Sequence, residues 1–147
     1  MSENNSLVPA QSAAIAALFW PGRAKWKLPK LIKLGAWAAV IGGGAIAVSG
    51  VIEQGEQLTA ATTPHKRAKL ITSGPYAHSR HPIYVGLLTA ASGYALLRRR
   101  VEPLIALGVL SGVLHRKVDA EERALSSRFG KKYRQYAKET PRMFGPI

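Results

Sequence analysis

Two short runs of the chain carry the groups that could do chemistry. In the first, Tyr76, Arg80, His81 and Tyr84 lie close together. In the second, Glu121 and Glu122 precede Tyr133 and Tyr136. An arginine can make a charge-assisted contact with a carboxylate or phosphate. A glutamate can accept hydrogen bonds from an ammonium or from ribose hydroxyls. A tyrosine ring can stack on a base or face a cation. Pro82 suits the first turn of a helix, where its missing N–H costs nothing. That helix start would offer free backbone N–H groups and a partial positive charge to an anion. The set suits a small ligand that carries both signs of charge. Phospholipid headgroups and nucleotides share several of these features.

A plainer reading of the same residues stands beside this one. On a helix, Glu121 could pair with Lys117 and Asp119 with Arg123, each four residues apart. Phe129, Tyr133 and Tyr136 could form an interfacial aromatic face. Glu122 resists that reading: Val118, Asp119, Leu125 and Ser126 occupy its neighbouring helical positions, and none is a cation.

The elements that must position these groups are set by hydropathy. Of the 147 residues, 47% are hydrophobic, which is ordinary, but the charges are clustered. Leu34 to Ile52, Leu7 to Gly22, Pro82 to Leu97 and Pro103 to Leu114 contain none. A soluble helix needs a polar face, and these stretches lack a charged one. The span predicted over 31–52 is long enough to match a hydrocarbon core of about 30 Å. Trp37 and the snorkelling Lys30 and Lys33 would anchor it. Gly42-Gly43-Gly44 inside it follows no strand and precedes no Lys-Ser/Thr, so it reads as close helix packing and not as a phosphate loop.

Residues 82–114 read as a membrane hairpin with a polar connection at Arg98-Arg99-Arg100-Val101-Glu102. Gly108 and Gly112 on one arm would face Gly86, Ala90 and Gly93 on the other. Residues 7–20 read as a short further span, and 53–81 as a polar linker. From 115 onward the chain is polar. The last helix should leave the membrane, run to Phe129 and stop at Gly130, and a second short helix should end at Pro141.

The net charge of +13, from 21 Lys+Arg against 8 Asp+Glu, favours anionic partners such as membrane lipids. The basic residues lie beside membrane spans, which sets nucleic acid aside. The absence of Cys excludes disulfides, thiolate metal sites and cysteine nucleophiles, and no metal site is expected. The basic residues of 65–81 and 116–142 place both polar ends of the hairpin on the cytoplasmic face. The Arg98-Arg99-Arg100 cluster then falls on the opposite face, against the rule. A hairpin forces its two open ends side by side, so the Tyr76–Tyr84 run and the Glu121-Glu122 run should converge at one membrane surface.

Ser73-Gly74-Pro75-Tyr76-x3-Arg80-His81-Pro82-x-Tyr84-x-Gly86 resembles the first motif of the isoprenylcysteine carboxyl methyltransferase family and the related phospholipid methyltransferases. Glu121-Glu122-x2-Leu125-x3-Phe129-Gly130-x2-Tyr133-x2-Tyr136-x4-Pro141-Arg142 looks like their second. The resemblance covers residues 65–142. It implies an all-α, polytopic membrane protein with three to four transmembrane helices, including the hairpin, and a cytoplasmic helical tail over 115–147. It also implies an enzyme that uses S-adenosylmethionine to methylate a lipid-like or prenylated acceptor. Tyr76, Arg80, His81, Tyr84, Glu121, Glu122, Tyr133 and Tyr136 would hold the cofactor, and Arg80 would also position the acceptor. The membrane would be the plasma (inner) membrane in a prokaryote. Phospholipid N-methylation, or non-enzymatic binding of anionic lipids, are the alternatives. The oligomeric state is not legible.

Overall fold

The computed structural model describes residues 3–58 and 69–144. Five helices account for most of them: α1 (Glu3–Leu18), α2 (Lys30–Gln54), α3 (Pro82–Arg98), α4 (Val101–Phe129) and α5 (Lys131–Glu139). Two single 3-10 turns, Gly55–Gln57 and Gly74–Ala77, follow α2 and precede α3. No strand occurs among the described residues. The all-α class is as the sequence implies.

The helix α2 is 25 residues long and is the one described helix both long and apolar enough to cross a membrane. Leu31, Leu34, Trp37, Ile41, Val48 and Ile52 point outward from it. An outward apolar face of this extent is suited to lipid and is costly in water. In α1 only Leu7–Leu18 is apolar, and that stretch falls short of a span by length. It still packs on α4. Ala14 and Leu18 enter the core with Ala91, Ala95, Ala106, Leu110 and Leu114.

The packing of α3 departs from expectation. Its small residues meet α2, not α4. A Cβ added at Gly43 would lie 2.6 Å from the Gly86 carbonyl oxygen, and one at Gly93 would collide with the Ala36 carbonyl. Backbone touches backbone along this seam, a contact that only small residues permit. Gly108 and Gly112 have nothing within 4 Å of an added Cβ. Gly43 and Gly50 of α2 give the α3 backbone room to approach closely. The α3–α4 contact instead uses Ala91, Ala95, Ala106 and Leu110.

The hairpin connection is also tighter than the predicted five-residue segment. α3 runs through Arg98, Arg99 closes it in the left-handed region at φ 54°, and α4 begins at Val101. The arginines of this turn have a structural task. Arg98 Nη2 and Arg100 Nη1 both donate to the Trp20 carbonyl, at 2.7 and 3.0 Å. Arg100 also pairs with Glu102 at 3.2 Å, and Lys25 reaches the same carboxylate at 3.3 Å. Arg98 and Arg100 therefore clasp the α1–α2 loop to the hairpin turn.

At the other end, α4 continues without a break to Phe129, Gly130 (φ 54°) stops it, and α5 turns back. Tyr133 and Tyr136 form the buried face of α5, while Lys131, Lys132, Arg134 and Lys138 face out.

Candidate functional site

The hairpin brings its two open ends together as its geometry requires. Gln54, at the end of α2, and Gly74–Ala77 meet first. Gly74 adopts φ 57°, and its position leaves room for the Glu53 carboxylate. Ser73 Oγ donates to Glu53 Oε1 at 2.5 Å. The Tyr76 hydroxyl donates to Gln54 Oε1 at 3.3 Å, and the Tyr76 carbonyl accepts from the Tyr136 hydroxyl at 2.6 Å. The first run is thereby moored to α2 on one side and α5 on the other.

The charged groups converge one turn further on. The Tyr84 hydroxyl donates to Glu121 Oε1 at 2.5 Å. His81 lies between both glutamates, with Nδ1 3.5 Å from Glu121 Oε2 and Nε2 3.4 Å from Glu122 Oε1. Arg80 Nη1 reaches Glu122 Oε1 at 3.2 Å. The His81 ring stacks on Tyr84, with centroids 5.8 Å apart and planes 9° from parallel. Tyr133 is buried beside the Arg80–Glu122 pair.

Burial and charge act against each other here. Burial opposes protonation of His81, but its hydrogen bonds to Glu121 and Glu122 outweigh that, and its pKa is raised. Burial likewise opposes ionisation of Glu122. His81, Arg80 and Arg142 reverse the balance and hold it below the usual carboxylate range. Both shifts favour an imidazolium between carboxylates. The Tyr76 and Tyr133 phenols are pushed up, first by burial and then by the glutamate charges. Tyr136 is pushed up to about 12 by burial.

One expected feature is not available. The Tyr84 and Val85 N–H groups both point to the His81 carbonyl, at 3.1 and 3.0 Å. The Ile83 nitrogen lies against α2 at Gly50. These N–H groups of the first turn of α3 are thus turned inward or covered, and Arg80 stands beside them. Its Nε is buried with no hydrogen-bond partner among the described residues.

The residues of the two expected ion pairs also have partners from elsewhere in the chain. Lys117 is buried at 2% exposure. Its Nζ donates to Gln11 Oε1 of α1 at 2.8 Å and lies 5.4 Å from the Tyr84 ring centroid. Asp119 pairs with Arg142. Sequence spacing could not reveal these partners, because Gln11 and Arg142 are distant in the chain. Lys117 does carry a signal: it lies one turn before Glu121 on the inward face with Leu110 and Leu114. Beyond Tyr136 a cleft of about 580 Å³ opens, lined by Leu70, Thr72, Phe129, Lys132 and Gln135 among others.

The stretch that holds most of these residues is similar to known proteins. The family described as phospholipid methyltransferase matches residues 32–132, more than half of the chain. The chain belongs to the phospholipid methyltransferase family. It is also 35% identical over 96 residues to the protein-S-isoprenylcysteine O-methyltransferase of Schizosaccharomyces pombe. That match covers 63% of this chain and 41% of the fission-yeast protein, so the chain spans about two fifths of that relative's length. The family match includes α2, α3 and α4 with both glutamates. It leaves out α1, most of α5 and Arg142.

Proposed function

We propose that this phospholipid methyltransferase family member transfers a methyl group from S-adenosylmethionine to a lipid-like or prenylated acceptor at the membrane surface. The observation that carries this is the convergence of Tyr84, His81 and Arg80 on Glu121 and Glu122 at the mouth of the α3–α4 hairpin. In this reading α2, α3 and α4 cross the bilayer and α1 adds a short fourth crossing. The linker 53–81 and the tail 115–147 then share the cytoplasmic face of one membrane domain.

The residues present fit the cofactor's chemistry. The buried, unpartnered Arg80 Nε suits a carboxylate. Glu121 and Glu122 suit an ammonium or ribose hydroxyls. Tyr76, Tyr133 and Tyr136 wall the site on the side of the cleft. S-adenosylmethionine, when bound, supplies an electrophilic methyl group on a sulfonium. Tyr84 and His81 hold the glutamates in orientation, and the buried Tyr133–Tyr136 pair excludes water. Arg80 also positions an anionic acceptor. A carboxylate acceptor is ionised at neutral pH and needs no general base. An amine acceptor would have to lose a proton, and Glu121 or Glu122 would then take it. The family description favours phospholipid acceptors as the second reading.

Labelled methyl transfer separates the two. Nanodisc-held protein is given methyl-labelled S-adenosylmethionine with either farnesylcysteine or phosphatidylethanolamine. A base-labile label on farnesylcysteine is the expected result, because a methyl ester hydrolyses. A base-stable label on the phospholipid would establish N-methylation instead. No transfer to either acceptor by folded protein, with no donor binding, would leave the anionic-lipid-binding reading.

A further inference from the structure

Residues 140–142, which follow α5, are packed into the fold. Thr140 is 4% exposed. The Pro141 carbonyl accepts the Arg80 N–H at 2.9 Å, and the Arg142 carbonyl accepts from Ser79 Oγ at 3.4 Å. Ser79 Oγ in turn accepts the His81 N–H at 3.2 Å. Residues 140–142 are thus stitched to the loop that carries Arg80 and His81. The stitching delivers the Arg142 guanidinium to two carboxylates on one face of α4. Its Nη2 meets Asp119, and its Nε lies 3.0 Å from Glu122 Oε2.

Glu122 is then gripped at both oxygens. Arg80 and His81 take Oε1, and Arg142 takes Oε2. A carboxylate has about four acceptor positions. His81 Nε2 fills one of them, and the two guanidiniums flank the carboxylate as ion pairs, so cations bound it on both sides. A guanidinium is a planar fork, so Asp119, by holding one arm, sets the angle at which the other meets Glu122.

We infer that Arg142 is a positioning residue of the methyl-donor site, oriented by Asp119, and that it aims Glu122 at the cationic part of the donor. This rests on the donor reading above, and it adds to the site two residues outside the expected set. A strut that only fastened residues 140–142 would need neither the Glu122 contact nor the fork. Glu122 is faced by Arg80, His81 and Tyr133 as well as Arg142, and Asp119 by His115 and Arg123 as well as Arg142. The pH signature must therefore be read as a difference between variants.

S-adenosylhomocysteine is titrated by calorimetry into nanodisc-held wild type, Arg142→Gln, Arg142→Lys and Asp119→Asn from neutral pH down to the acid limit of folding. Arg142→Gln is expected to weaken binding about tenfold, the scale of one charge-assisted contact. It should also move the acid limb of binding to higher pH, because Glu122 loses a cation. Arg142→Lys should not restore binding, since an ammonium cannot fork. Asp119→Asn, at the half-exposed rim, should weaken binding by a smaller factor. Wild-type affinity and an unmoved acid limb in Arg142→Gln would overturn the inference.

A ligand-free double-mutant cycle keeps the two claims separable. The melting shifts of Arg142→Gln and Glu122→Gln should be non-additive, because the two groups share one interaction. Additive shifts would remove the relay even if the donor binds. Non-additive shifts with no wild-type binding would retain the relay and remove the donor reading.

Discussion

Glu122 is held by two guanidiniums and an imidazole, and each removes something different when mutated. The Tyr84 hydroxyl does the same for Glu121 at 2.5 Å. Tyr84→Phe deletes that one donor and keeps the ring against His81. It should weaken S-adenosylhomocysteine binding about tenfold, and it should also lower the melting midpoint, because this hydrogen bond to a charged group is already made in the ligand-free fold. His81 yields a pH test. Its folded pKa is raised, so its contribution is complete below its unfolded value, about 6.5, and is lost as pH rises through the folded value. The melting midpoint of the unliganded protein should fall over that rise, and His81→Gln should flatten the curve. A midpoint that rose with pH in the wild type would contradict the sign. At this scale the sequence was partly legible. Residue types and spacing marked Arg80, His81, Tyr84 and both glutamates. Arg142, which pairs with Glu122, lies beyond α5, and Gln11, which pairs with Lys117, lies on α1, so no local spacing encodes either contact.

The helices were legible from charge-free runs and from Pro and Gly punctuation, but their pairing was not. Gly86, Ala90 and Gly93 announce a close-packed face without saying which helix receives it. The receiver is α2, where Gly43 matches Gly86. Gly86→Leu should push the backbones apart and cost about 3 kcal/mol, at the upper end for an overpacked contact, read as a lower melting midpoint in detergent. Gly108→Ala and Gly112→Ala meet open space. They should be neutral or stabilising by about 0.5–1 kcal/mol each, from the helical preference of alanine. A loss at Gly108 comparable with that at Gly86 would restore the α3–α4 glycine seam.

On the proposed topology the whole molecule has a charge conflict. By residue count alone, Arg98-Arg99-Arg100 argues against the orientation proposed for the tail. Two of these arginines are bound to the Trp20 carbonyl, and Arg100 is also paired with Glu102. Their positive charge serves packing. The chain has no Cys, so single cysteines report sidedness cleanly. Lys27→Cys should label from the face opposite to Glu56→Cys and Lys132→Cys, which should label together from the cytoplasm. Labelling of all three from one face would remove the proposed crossings.

The central claim is a methyl-donor site between the two motifs, and calorimetry on nanodisc-held protein tests it most directly. S-adenosylmethionine and S-adenosylhomocysteine are titrated into the wild type, Glu122→Gln and Glu122→Ala, with melting curves to confirm folding. Saturable binding by the wild type, lost in a folded Glu122 variant, is the expected result. A folded wild type that binds neither compound, or a folded Glu122→Gln that binds both as tightly as the wild type, would contradict it.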